Sequence, residues 1–193
     1  MDHRIASRYR GRCLIEIPVD KKRSVMFLGK RVLVLGLGLS GRSAAEFLIA
    51  HSAEVHAVDR NDTLFTHPEV QKLKQMGMSS SLENDCPPVE SFDFLILSPG
   101  IPAGHPLVQR AKQGRIPVYG EIELGSRVVK NPIIAITGTN GKTTVTLMVT
   151  HILQYCGIAA KALGNVGTPF TRELLQMEDR SVIVLELSSY QLE

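Results

Sequence analysis

Val32-Leu33-Val34-Leu35-Gly36-Leu37-Gly38-Leu39-Ser40-Gly41 is a short apolar run that empties into a glycine turn. An uninterrupted run of Val and Leu suits a parallel strand buried on both faces. From residue 42 to 51 the apolar Ala44, Ala45, Phe47 and Leu48 recur at helical spacing, and residues 54–59 read as a second strand with Asp59 at its C-terminal end. Strand, glycine turn, helix, strand is a βαβ unit with a right-handed crossover, which sets the class as α/β with a parallel sheet.

Working outward, the pattern predicts a helix over 68–76, with Pro68 in its first turn and Gly77 as its stop signal. Residues 92–97 read as a strand closing on Ser98-Pro99-Gly100. Residues 106–113 read as a helix stopped by Gly114, 116–118 as a short strand or edge around Pro117, and 120–129 as a helix. Lys130-Asn131-Pro132 is the expected domain boundary. Beyond it come a helix over 143–157, a strand over 159–163, a helix over 169–177 and a buried strand over 181–187. Three strands leave an apolar sheet edge uncovered, so 131–193 is expected to be an incomplete domain following a domain over 30–130.

The net charge of +3 over 193 residues is unevenly placed. Residues 1–30 hold eight Lys/Arg against three Asp/Glu, and residues 31–193 hold fourteen against sixteen. The folded body is therefore not basic, and a nucleic-acid partner loses its main support. The excess belongs to a leader over 1–29, expected to be disordered, with Met26 as an alternative start. No run approaches the roughly 18 apolar residues that cross a bilayer, so no membrane partner is expected. Cys13, Cys86 and Cys156 lack metal-ligand spacing and read as free thiols of a reducing cytoplasm.

Two glycine loops carry the chemistry. In the first, G-x-G-x-x-G is complete, and Asp59 follows Gly41 where a ribose hydroxyl would be held. Gly36 permits the tight turn, Gly38 lets a phosphate approach the backbone, and Gly41 lets helix pack on strand. Taken alone this points to a dinucleotide such as NAD, or to a structural βα turn. The second is Pro132-Ile133-Ile134-Ala135-Ile136-Thr137-Gly138-Thr139-Asn140-Gly141-Lys142-Thr143-Thr144. It reads as an ATP phosphate cradle: backbone N–H groups turn inward, Lys142 adds an ammonium and Thr143 a hydroxyl for Mg²⁺. The standard spacing would require glycine at Ile136; here Gly138 gives a tighter loop.

Thr137-Gly138-Thr139-Asn140-Gly141-Lys142-Thr143-Thr144 resembles the ATP loop of the Mur ligases, the ATP-dependent amide ligases of peptidoglycan precursor synthesis. Leu163-Gly164-Asn165-Val166-Gly167 and Leu185-Glu186-Leu187-Ser188-Ser189-Tyr190-Gln191-Leu192-Glu193 are similar to the branch that adds D-glutamate to UDP-N-acetylmuramoyl-L-alanine. The resemblance runs from about Lys30 to Glu193. It implies a Rossmann-like N-terminal domain followed by the truncated start of a P-loop ATPase-type central domain, acting as a cytoplasmic monomer with ATP and Mg²⁺.

It further implies that Gly38, Leu39, Ser40, Asp59, Arg60, Ser98, Pro99 and Gly100 hold the UDP end of the substrate, with Asn165, Ser188 and Gln191 as further substrate contacts. Gly138, Thr139, Asn140, Gly141, Lys142, Thr143 and Thr144 would hold ATP. Lys142, Thr143 and Glu186 would be catalytic, with Thr143 and Glu186 on the metal. Each has a plainer reading. Glu186 would be an edge carboxylate facing water, Asn165 a turn residue, and Ser188, Ser189 and Gln191 caps of a strand end. His56, His105 and His151 read as solvent-facing or helix-end residues. An NAD-dependent oxidoreductase and a non-catalytic nucleotide-binding fragment remain alternatives. Half an active site is the expectation for the chain as it stands.

Overall fold

The computed structural model describes residues 26–164, 168–177 and 181–188. The chain runs through β1 (Arg31–Leu35), α1 (Leu39–Ala50), β2 (Glu54–Asp59), α2 (Pro68–Gln75), β3 (Ser79–Leu82), β4 (Phe94–Leu97), α3 (Pro106–Gln113), β5 (Val118–Gly120) and α4 (Glu121–Ser126). It continues through β6 (Ile133–Ile136), α5 (Lys142–Tyr155), β7 (Ala160–Gly164), α6 (Phe170–Leu174) and β8 (Val182–Glu186). The first five strands form one parallel sheet of order β3-β2-β1-β4-β5, and the last three a second parallel sheet of order β6-β8-β7.

β1 is apolar throughout because both of its faces are covered. Val32 and Val34 pack with Ala44, Phe47 and Leu48 of α1, whereas Leu33 and Leu35 pack with Val108 and Ala111 of α3 on the opposite face. Alternation of side chains along a strand requires this. Phe27 is 2% exposed and stacks edge-on against Phe47. The compact unit therefore includes Phe27, which corrects the leader boundary at residue 29; residues 1–25, with Cys13, lie outside the described residues.

Several elements differ from expectation, each for a physical reason. α1 begins at Leu39 instead of residue 42, with Gly38 as its N-cap, so Gly41 lies inside the first turn. A Cβ there would sit 1.8 Å from the Gly36 carbonyl oxygen, so only glycine lets the helix close over the turn. The strand expected around Pro117 is β5, one step later; Pro117 contributes only its carbonyl, to the Leu95 N–H at 2.8 Å. β3 was not expected, because Ser79-Ser80-Ser81-Leu82 has no apolar run; it is an edge strand paired only to β2. His56 of β2 is correspondingly half-buried, not solvent-facing. Its Nδ1 meets Ser79 Oγ at 2.7 Å and its Nε2 meets Ser81 Oγ at 3.0 Å, and burial lowers its pKa.

In the second sheet, Leu163, Phe170, Ile183 and Leu185 form a small core. Ile133 and Ile134 of β6, and Met148, Ile152 and Tyr155 of α5, are exposed. Among the described residues no helix is long and apolar enough to cross a membrane. Cys86 and Cys156 are free thiols.

Candidate functional site

In an open parallel sheet, ligands bind outside the carboxyl ends of the strands where the chain reverses its direction of winding. Here that point is the crevice between β1 and β4, since β2 lies on one side of β1 and β4 on the other. A cavity of about 510 Å³ opens there. Its lining includes Gly38, Leu39, Ser40, Asp59, Arg60, Ser98, Pro99 and Gly100, so the residues expected to hold the UDP end of the substrate lie on one concavity. A second concavity of about 480 Å³ lies at the opposite strand ends, around Arg31, Glu54 and Phe92, far from both glycine loops in the topology.

The loops around the cavity are fastened to one another. Asp59 is 9% exposed; its Oδ2 accepts from the Leu37 N–H at 2.7 Å and its Oδ1 from the Asn61 N–H at 2.9 Å. Both oxygens thus already organise backbone, which revises its expected role as a ribose contact alone: one further lone pair on each oxygen is left for a ligand. Ser98 Oγ donates to the Gly36 carbonyl at 3.0 Å and closes β4 onto the glycine turn. A Cβ on Gly38 would meet nothing within 4 Å, so the backbone at the start of α1 is open. The first N–H groups of α1 have no side-chain cap and no acidic neighbour in the first turn, which suits an anion.

Sequence reasoning missed three polar residues of this cavity, Asn61, Glu83 and His105. His105 Nδ1 accepts from the Leu107 N–H at 3.3 Å, capping α3, so the proton resides on Nε2, 3.2 Å from Glu83 Oε2. The helix-end expectation for His105 holds; the pair to Glu83 left no trace in local spacing. His151 is exposed on α5.

The second loop leaves β6 and enters α5. Gly138 and Gly141 have φ of 154° and 75°, and Gly141 is the helix N-cap in the left-handed region that glycine tolerates. Lys142 Nζ folds back over the loop, donating to the Gly138 carbonyl at 2.8 Å and approaching that of Thr139 at 3.5 Å. Thr143 and Thr144 occupy the first turn of α5 and are exposed.

Glu186 ends β8, the central strand, level with Ile136 of β6 on one side and Gly164 of β7 on the other. It is 2% exposed, and its Oε2 has no hydrogen-bond partner among the described residues. The water-facing edge reading is therefore overturned: this is a buried carboxylate at the central strand's C-terminal end, in register with the strand that feeds the lysine loop. Gly164 has φ 101°, and a Cβ there would lie 2.2 Å from the Glu186 carbonyl oxygen, so glycine is obligatory. Ser188 is half-buried just past β8; Asn165, Ser189 and Gln191 lie outside the described residues. Among the described residues, no three His, Cys, Asp or Glu side chains cluster as a metal cage.

Both halves of this geometry have counterparts among known proteins. The Mur ligase MurD-like N-terminal domain matches residues 30–120, and the Mur ligase middle domain matches residues 136–193. The chain belongs to the Mur ligase family. The UDP-N-acetylmuramoylalanine–D-glutamate ligase of Protochlamydia amoebophila is 49% identical over 168 residues, 86% of this chain and 38% of that protein. The ligase of the same name from Desulfatibacillum aliphaticivorans is 36% identical over 166 residues, covering 86% and 37%. The chain thus spans little more than a third of the length of these curated relatives. A solved structure of the UDP-N-acetylmuramate:L-alanyl-gamma-D-glutamyl-meso-diaminopimelate ligase from Neisseria meningitides matches 82% of this chain and 52% of its own at 20% identity, with a TM-score of 0.49.

Proposed function

We propose that this chain supplies the UDP-substrate and ATP sites of a ligase that joins D-glutamate to UDP-N-acetylmuramoyl-L-alanine, with residues 30–130 and 131–193 as the two units. The observation that carries the reading is two anion cradles in one chain, the second accompanied by the orphaned, buried carboxylate of Glu186. A simple dehydrogenase has use for the first cradle only.

Amide formation in water is uphill, so the L-alanine carboxylate must first be activated. Its oxygen attacks the γ-phosphorus, the bond to the bridging oxygen breaks, and ADP leaves. The D-glutamate amine then attacks the acyl phosphate carbonyl, loses a proton, and phosphate departs with the original carboxylate oxygen. The α1 N-terminus and Gly38 would receive the UDP diphosphate, with Asp59 and the Ser98-Pro99-Gly100 turn shaping the nucleoside end. Lys142 would exchange its carbonyl partners for β- and γ-phosphate oxygens, and the backbone from Gly138 to Thr144 would cradle the remainder.

Glu186 and the Thr143 hydroxyl would hold Mg²⁺, which neutralises phosphate charge when bound. A site of one carboxylate and one hydroxyl fits an ion that keeps waters and leans on substrate phosphates. Polar substrates of this kind suit a cytoplasmic setting, and the protein is proposed to act as a monomer.

The test is phosphate release from ATP by the intact protein. Release requiring both UDP-N-acetylmuramoyl-L-alanine and D-glutamate is expected; release indifferent to D-glutamate, or a change in NADH fluorescence on mixing, would overturn the reading. Asp59→Ala separates the two sites. It frees the Leu37 and Asn61 amides, and the UDP-substrate Kd is expected to rise by about 10- to 100-fold with that for ATP nearly unchanged. Equal weakening of both ligands, measured by titration calorimetry, would contradict the two-site assignment.

A further inference from the structure

Two chains of polar contacts cross from the five-stranded unit to α6 and end on adjacent residues. The inner one is buried. Glu121 Oε1, at the start of α4, accepts from both the N–H and the hydroxyl of Thr171, each at 2.6 Å. With the Thr171 proton so committed, Ser43 Oγ of α1 must donate to Thr171 Oγ1, 2.7 Å away. Ser43 and Thr171 are 0% exposed and Glu121 is 7% exposed. The outer chain runs from the glycine turn: Arg42 donates to the Leu37 carbonyl at 2.8 Å and to Glu69 at 2.7 Å, and Glu69 receives Arg172 at 3.1 Å.

The packing around the inner chain is equally specific. A Cβ on Gly125 of α4 would lie 2.6 Å from the ring of Phe170, which is fully buried. Phe170 packs in turn with Leu163, Ile183 and Leu185, the core beneath β8 and Glu186. The contact is therefore mechanical: α4 and α1 hold α6, and α6 rests against the strands that carry the second site. Burial pushes the Glu121 carboxyl up, against the hydrogen bonds from Thr171 that lower it. A group so costly to bury persists where its bonds fix a geometry.

We infer that Glu121 is a positioning residue for phosphoryl transfer: through Thr171 it locks the sheet that carries Glu186 and feeds the Lys142 loop at one orientation to the glycine-loop cavity. Glu121 lines neither cradle, so it acts only by setting where the substrate carboxylate meets the γ-phosphate. This rests on the ligase reading above. A displacement of about 1 Å between reacting atoms lowers rate by about 100-fold while each partner still binds.

The experiment uses the intact protein, with separate titrations of ATP and UDP-N-acetylmuramoyl-L-alanine and with kcat for phosphate release. Glu121→Ala is expected to lower kcat about 100-fold with both Kd values within about threefold of wild type. Glu121→Gln, which keeps an acceptor for Thr171, is expected to restore most of the rate. If Glu121→Ala does not fold, Thr171→Val, which keeps the shape and the N–H but removes the hydroxyl, carries the same expectation. Unchanged kcat in the folded variant, or a kcat loss that Glu121→Gln shares in full, overturns the inference. Wild-type protein without D-glutamate-dependent phosphate release overturns the ligase reading instead. The latch is then judged by hydrogen exchange of the α6 amides, expected to quicken at least about tenfold in Glu121→Ala, with unchanged exchange counting against it.

Discussion

Lys142→Ala is expected to lower the rate of acyl phosphate formation by about 10³-fold, the scale seen when a donor aimed at developing charge is removed from a dry site. Lys142 is the one cation between Thr137 and Thr144, and its ammonium already lies over the loop on the Gly138 and Thr139 carbonyls. Nothing else in the loop can follow negative charge onto the γ-phosphate as the bond to the bridging oxygen breaks. ATP binding should weaken less, by about tenfold, because the backbone N–H groups of the cradle remain. The partly exposed side chain contributes little to packing, so the thermal midpoint should not move. Lys142→Arg should not rescue, since a planar guanidinium cannot occupy the position of a compact ammonium on this tight loop. Stopped-flow phosphate release within tenfold of wild type would contradict the assignment.

Glu186→Gln should separate activity from stability. The substitution keeps the shape at the end of β8 but replaces a carboxylate that is 2% exposed and whose Oε2 has no partner among the described residues. Buried charges of this kind oppose folding unless paired, so the neutral amide should leave the thermal midpoint at or above that of wild type. Activity should move the other way. The Mg²⁺ concentration for half-maximal rate is expected to rise about tenfold, and the rate at saturating Mg²⁺ to fall about 100-fold. A lower midpoint with unaltered Mg²⁺ dependence would make Glu186 a structural residue and remove it from the site.

The sequence carried those parts of the fold whose cause is local. The apolar run at Val32 to Leu35, the glycines that follow it, and the turn at Ser98-Pro99-Gly100 each state their own geometry, and Gly36, Gly38 and that turn line one cavity. β3 was illegible because an edge strand needs only one buried face, and its Ser79 and Ser81 offer hydroxyls to His56 in place of an apolar pattern. Phe27 lies before the expected boundary at residue 29 but after the alternative start at Met26, and its burial fits the latter. Glu83 with His105, and Glu121 with Thr171, lie 22 and 50 residues apart. Such pairs become visible only when the sheet order brings their elements together. Glu186 stood between: its place at the end of a buried strand was readable, its burial on the central strand between Ile136 and Gly164 was not.

Asp59 has a thermodynamic consequence. One carboxylate ties the amide of the glycine turn to the amide of the segment after β2, so the two walls of the cavity form a single rigid surface before any ligand arrives. A nucleotide entering it orders little protein, and the entropy normally lost in shaping loops around a ligand is small. Binding of the UDP-substrate should therefore be governed by desolvation and contact enthalpy, leaving the lysine loop as the part of the active site that adjusts.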